Sequence, residues 1–266
     1  MEKQLELPPK PKYSALKRVR NIVIAILIIA LYVWTFTSID IDWGRAIERA
    51  TNNFQRVIPK LFSPDWGATG KVALSMLETV FIAFAGSLMA AIIAVPLAFL
   101  AARNMGGVIF STIGKWILSA VRAFPDVILA ILFVVAVGPN AFAGVLAIAI
   151  GSTGMLGKMF SEIIEGIDMN VIEAMEASGA NKIQILFYGV LPQIIPEFLS
   201  YAIYRFEVDV RASSILGIVG AGGIGMLIIF ASNNRNWNEM GTILLAIIIV
   251  VTIIDFASAR IRRKIV

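Results

Sequence analysis

The chain has 266 residues, 58% of them hydrophobic and 15% charged, with a mean hydropathy of +0.83. That balance excludes an ordinary soluble domain, which carries about 25% charge, and points to a polytopic membrane protein. There is no Cys and no His, which removes disulfides, thiol chemistry, His metal sites and a Ser-His-Asp triad together. No catalytic and no metal-ligating residue is therefore assigned, and the net charge of +5 reads as an orientation signal, not as nucleic-acid affinity.

Residues 1–20 form a basic tail with Lys3, Lys10, Lys12, Lys17, Arg18 and Arg20. The apolar run 22–37 predicts a first span over 21–39. It is longer than the ~7–15-residue core of a signal peptide, and Thr37-Ser38-Ile39-Asp40 offers no small-x-small cleavage site; an uncleaved span is expected. Residues 40–71 then form an external loop. Within it, 44–58 reads as a surface helix with Ala46, Ile47, Ala50, Phe54, Val57 and Ile58 on its apolar side.

A membrane core is expected over 72–260, with apolar blocks at 72–102, 116–137, 141–157, 193–217 and 240–258. With the first run these give an all-α integral membrane protein of about six transmembrane helices. Pro96 allows a kink in the first block, where Ala83, Ser87 and Ala91 make a small face suited to helix packing. Arg122-Ala123-Phe124-Pro125-Asp126 interrupts the next. Pro125 should break that span, and Asp126 is expected to cap the helix that resumes.

A polar insert occupies 158–192. Asp168 is placed to cap a short helix through Glu173 to Ser178, Gly179 suits a left-handed residue that ends it, and a second short helix is expected over 181–188, before Pro192. The next span carries Arg205, Glu207, Asp209 and Arg211. Charges inside a span are costly and usually functional. Arg205 with Asp209, and Glu207 with Arg211, are i,i+4 pairs on roughly opposite faces. One reading is two neutralised pairs that hold the bundle together; the other is that one face lines a pathway for an anion.

Gly220-x-Gly222-x-x-Gly225 matches a dinucleotide fingerprint, but too little chain follows to build an open α/β sheet, so a Gly-rich bend after a membrane helix is expected. Gly70-Lys71, Gly114-Lys115 and Gly157-Lys158 all lack the hydroxyl residue that completes a phosphate loop. A pump built on this chain must take its ATPase from another polypeptide. Lys and Arg divide thirteen to six in favour of the face bearing both termini and the 158–192 insert, with 261–266 as a basic end. Both termini and the insert are expected in the cytoplasm.

Glu173-Ala174, Gly179 and Leu191-Pro192 resemble the "EAA" loop of permease subunits of ATP-binding-cassette importers. With 122–138, 142–168 and 191–225, the chain over roughly 70–260 is similar to the phosphonate branch of that family. The resemblance implies the type I ABC importer permease architecture in a bacterial cytoplasmic membrane. It also implies a second copy of the permease, a cytoplasmic ATPase dimer and an extracytoplasmic substrate-binding protein, besides membrane lipid. ATP and Mg would be held by the ATPase, with no cofactor in this chain. Glu173, Ala174, Gly179, Leu191 and Pro192 would form the ATPase-coupling loop. Arg122, Arg205, Glu207, Asp209 and Arg211 are the candidate pathway residues, and the cargo would be a phosphonate, phosphate or phosphite. Two positions depart from the generic loop: Met175 replaces an Ala, and Gly189 replaces an Ile, which is expected to loosen the second helix end. The competing reading is an ion-coupled secondary transporter of a small anion with Glu207 and Asp209 as a relay; it requires repeated halves, and none is legible.

Overall fold

The structure, a computed structural model, describes residues 15–38 and 42–265. Lys3, Lys10 and Lys12 of the tail and Asp40 lie outside the described residues. The chain divides into two compact units, Met1–Arg56 and Val57–Val266.

In the first unit α1 is Ala15–Ser38, apolar on all sides from Ile22 to Trp34, as a span must be. α2, Trp43–Leu61, begins there and ends in the second unit. The second unit contains α3 (Thr69–Ala101), α4 (Arg103–Arg122), α5 (Asp126–Val137) and α6 (Ala141–Glu165). It continues with α7 (Met169–Ala177), α8 (Lys182–Gln184), α9 (Leu191–Leu216), α10 (Ile224–Asn233) and α11 (Trp237–Ile265). Among the described residues there is no strand. Five helical segments are long and apolar enough to cross a bilayer, and six if α4 and α5 count as one broken span. That pair is bent by 79°. The break follows from Pro125, which has no N–H to give and holds the residue before it out of the helix.

The second unit is assembled on small residues. α3 buries Ala83, Gly86, Ala90, Ala94 and Ala98; α6 buries Ala147, Gly151, Gly154 and Gly157. A Cβ added at Gly86 would stand 2.7 Å from Ile148 of α6, and one at Gly154 would stand 2.8 Å from the Arg122 Cγ. Lipid tails are as apolar as Leu, so close backbone approach and dispersion must hold these helices together. The small face at Ala83 and Ser87 is thus consumed inside the chain and is not free to join a second copy.

After α9 the chain makes a tight turn with Gly220, Gly222 and Gly223 at φ +94°, +81° and +72°. The Gly223 Cα hydrogens leave room for Thr79, whose hydroxyl accepts the Ile224 N–H at 2.7 Å and opens α10. The expected Gly-rich bend is therefore present. A correction concerns the end of the polar insert: the second helix does not stop before Pro192. α8 passes through a π turn, Ile185–Val190, straight into α9. The Leu191 N–H reaches back five residues to the Leu186 carbonyl, and Pro192, with no N–H to give, follows at the point where the π turn has shifted the hydrogen-bond register.

The tight α3–α6 contact yields a prediction. Gly86→Leu should overpack it, costing about 1–3 kcal/mol, and lower both membrane yield and the thermal midpoint in detergent. Leu74→Ala, at an exposed position of the same helix, should leave the midpoint unchanged.

Candidate functional site

The insert between α6 and α9 is built by successive caps. Gly166 closes α6, and the Asp168 carboxylate accepts the Asn170 N–H at 3.0 Å to start α7. The Gly179 N–H donates to Glu176 O at 2.9 Å and the Ala180 N–H to Met175 O at 3.0 Å. Those two bonds make a Schellman end, and Gly179, at φ +79°, takes the left-handed position expected of it. Asn181 and Gln184 then exchange backbone and side-chain bonds at 2.8 and 2.9 Å in a capping box. Gln193 ties the two ends together: it accepts from the Asp168 N–H at 2.9 Å and donates to Gly189 O at 2.7 Å.

Glu173, Ala174 and Ala177 are exposed, as are Ile183, Phe187 and Tyr188 just beyond. Beneath them Ile172, Ile185 and Val190 are buried with Leu156 and Phe160 of α6. The motif residues are thus displayed on a hairpin whose underside is fixed to the membrane core. Leu191 packs partly buried on that same core. The two departures from the generic loop touch each other: a Cβ at Gly189 would lie 3.0 Å from the Met175 sulfur. Gly189 is buried and makes room for Met175 instead of loosening the helix end.

On α9 both expected ion pairs are present, in different surroundings. Arg205 Nε lies 2.9 Å from Asp209 Oδ1. Ser152 of α6 accepts from Arg205 Nε at 2.9 Å and donates to the Asp209 carboxylate at 2.8 Å. Asp126 of α5 stands 3.6 Å from Arg205 Nη2. Gly151 leaves the space that the Asp126 carboxylate fills. The Asp209 side chain is 1% exposed and that of Arg205 10%. Asp126 does not cap α5: the cap position is Pro125, without a side-chain bond, and the carboxylate is drawn to the guanidinium.

The other pair faces α11. Arg211 Nη2 lies 2.9 Å from Glu207 Oε1 and 2.6 Å from Asp255 Oδ2, while Arg262 reaches Glu207 Oε2 at 3.1 Å and stacks over Tyr204. The Arg211 side chain is 45% exposed. It borders an open groove with Ile215, Ile218, Ile248 and Val251. Arg122, at the break after α4, is exposed and has no ion pair or hydrogen bond among the described residues. The five charged candidates therefore fall into a closed pair, an open pair and one unpaired Arg. Sequence reading missed Ser152, Asp255 and Arg262. Asp255 was visible as a lone carboxylate in an apolar run, but nothing local showed that it meets Arg211.

These surroundings separate the two arginines. Arg205→Gln should strand the buried Asp209 carboxylate and cost about 3–5 kcal/mol, seen as lost folded protein and a lower melting midpoint. Arg211→Gln leaves Glu207 paired with Arg262 and strands only Asp255, whose side chain is 38% exposed, so the midpoint should fall by less than for Arg205→Gln.

The chain matches the family described as binding-protein-dependent transport system inner membrane component over residues 94–266. It is 39% identical over 202 residues to the phosphite transport system permease protein PtxC of Stutzerimonas stutzeri, covering 75% of this chain and 73% of that one. It is 35% identical over 241 residues to the phosphate-import permease protein PhnE of Mycolicibacterium smegmatis, covering 90% of this chain and 42% of that one. A chain of the MetNI methionine ABC transporter, in an inward-facing conformation, superposes with TM-score 0.66 at 25% identity, over 76% of this chain and 99% of its own length. The bundle therefore has the type I ABC permease architecture, and the ion-coupled secondary-transporter reading gives way to it. This multi-pass chain, with its polar helical hairpin between α6 and α9, belongs to the inner-membrane component family of binding-protein-dependent transport systems.

Proposed function

We propose that this chain is the membrane-spanning subunit of an ATP-driven importer of phosphonate or a related oxyanion such as phosphite or phosphate. Two relatives named for phosphite and phosphate transport support that cargo class. The observation that carries the mechanism is the hairpin of α7 and α8, fixed to the core beneath and showing Ala174, Ala177, Ile183 and Phe187 among Glu173, Glu176 and Lys182 on its outer surface. Glu173, Ala174 and Gly179 lie on or end α7, while Leu191 and Pro192 begin the helix that runs up to the charges. A cytoplasmic ATPase would seat on the exposed Ala174, Ala177 and Phe187 face, where small side chains admit a partner closely. ATP and Mg belong to that partner, and this chain contributes no catalytic group.

A force on the hairpin would pass along one nearly continuous helix, 182–216, which includes the π turn. Such turns recur where helices serve function. Arg211 would meet the oxyanion. A guanidinium fork matches phosphoryl-type oxygens, and Glu207 and Asp255 beside it moderate the attraction so that cargo can leave. The closed Arg205–Asp209 pair would hold α9 to α6, and the unpaired Arg122 is a second cation available to an anion. Two copies of the chain would form the pathway, since closed two-fold symmetry gives each of two ATPases one hairpin. A substrate-binding protein would deliver cargo on the outer face, and both termini would lie in the cytoplasm, in keeping with the Lys and Arg distribution.

The experiment is reconstitution with the ATPase and binding protein in proteoliposomes, reading phosphite or phosphonate uptake. Gly179→Val forces a β-branched residue to positive φ at a cost of about 1–2 kcal/mol. It should lose ATPase co-purification and uptake while still reaching the membrane. Arg211→Gln should slow uptake yet keep the ATPase bound. Normal uptake by both variants would overturn the assignment of hairpin and pathway.

A further inference from the structure

The proposed transport function uses the hairpin, α9 and the bundle, and leaves α2 without a role. Its sequence sorts cleanly by angle. At 100° per residue, Trp43, Ala46, Ile47, Ala50, Phe54, Val57, Ile58 and Leu61 fall within about 60° either side of one line. Arg45, Arg49, Arg56 and Lys60 gather within about 60° of one another on the far side, and Glu48 is the one carboxylate of the helix. The stripe is open along its first three turns, with Trp43, Ile47 and Phe54 each more than half exposed, and partly buried at Val57, Ile58 and Leu61.

Three observations say what covers it. First, α2 cannot cross a bilayer with those cations along it, yet its neighbours can. Four residues, 39–42, join it to the apolar α1, a tether of at most about 14 Å. Second, its C-terminal end is pinned at the start of α11. Leu61 lies against Gly241, where a Cβ would overlap the Leu61 carbonyl. Asn238 donates to Ser63 O at 2.6 Å, and Thr242 to Asp65 O at 3.0 Å. Its C-terminal end is therefore held beside the start of α11, and its N-terminal end can lie no further from α1 than that short tether allows. Third, Trp43 begins the helix and Trp66 lies five residues beyond its end, and tryptophan favours the headgroup level.

We infer that α2 lies in the plane of the membrane interface, its Trp43–Ile47–Phe54 stripe sunk among acyl chains and its Arg45, Arg49, Arg56 and Lys60 flank on the phosphates of anionic lipid headgroups. A helix about 28 Å long, with a polar cationic side, has the dimensions and charge for that position. Charge complementarity and the two tethers favour lipid over a protein partner. Arg45 also pairs with Asp42 at 3.0 Å, so three cations remain wholly available to headgroups. So placed, α2 would fix the adjoining ends of α3 and α11 at the bilayer surface, a stationary frame beside a moving α9.

The absence of Cys makes the test direct. Single variants Ile47→Cys, Phe54→Cys, Glu48→Cys and Asn52→Cys of the full chain are spin-labelled in vesicles of phosphatidylglycerol and phosphatidylethanolamine. Collisions with oxygen and with a water-soluble nickel chelate are then measured. Labels at 47 and 54 should meet oxygen and not nickel; labels at 48 and 52 should show the reverse. Replacing phosphatidylglycerol by phosphatidylcholine should raise nickel access at 54. Nickel access at all four positions, or protection of 47 and 54 from both reagents as under a protein partner, would overturn the inference. Nickel access at 54 unchanged by the lipid exchange would remove the headgroup contact. A variant that fails to accumulate is replaced by Ala50→Cys on the same stripe, and uptake is followed in parallel so that loss of transport is scored separately from lipid contact.

Discussion

The arrangement of this bundle depends on one requirement: an apolar solvent cannot compensate a buried charge, so the protein must. Asp209 meets it by accepting from Arg205 and Ser152 together. Ser152 is within reach because α6 approaches α9 closely, and α6 is brought to α3 by facing glycines and alanines. Asp126 is added where Pro125 breaks the third span and Gly151 leaves space. Small residues, a helix break and a buried salt bridge are thus parts of one solution. Remove the close approach and the carboxylate loses its hydroxyl donor.

The same helix solves the problem differently two residues on. Glu207 and Arg211 are joined by Asp255 and Arg262, and this network opens onto a groove. A closed pair gives α9 a fixed attachment, while an open network can exchange partners. An anion entering beside Arg211 would compete with Glu207 and Asp255 for one guanidinium. Binding would then be an exchange of hydrogen bonds and not a capture, as a site that must release its cargo would need. The continuous helix from the hairpin through α9 would give that exchange a mechanical connection to the hairpin.

Much of this was legible in the sequence because it depends on local rules. Hydrophobic runs gave the spans, Pro125 the break, Gly179 the left-handed end of α7 and Asp168 its cap. The i,i+4 spacing gave both ion pairs on α9. What failed was long-range or depended on continuity. Asp126 looked like a cap because Asp is a favoured N-cap residue and a helix resumes there; its attraction to Arg205, remote in sequence, prevailed. Pro192 looked like a stop, but the π turn before it shifts the hydrogen-bond register, and the helix continues. Ser152, Asp255 and Arg262 carry no local mark, since each acquires its role only when α6 and α11 pack on α9. Gly189 was misread for the same reason, because its partner Met175 lies across the hairpin.

The central claim is that α9 has one sealed face and one face on a water-filled pathway. Thiol accessibility in the assembled transporter tests it most directly, again because the chain has no Cys of its own. Ile215 lies one turn beyond Arg211 and is exposed, while Ser213 is buried. With Ile215→Cys, a charged, membrane-impermeant thiol reagent should label the site, and saturating oxyanion cargo should slow that labelling; Ser213→Cys should resist it. If Ile215→Cys reacts only with a lipid-soluble reagent, that face of α9 looks onto lipid and the account is contradicted.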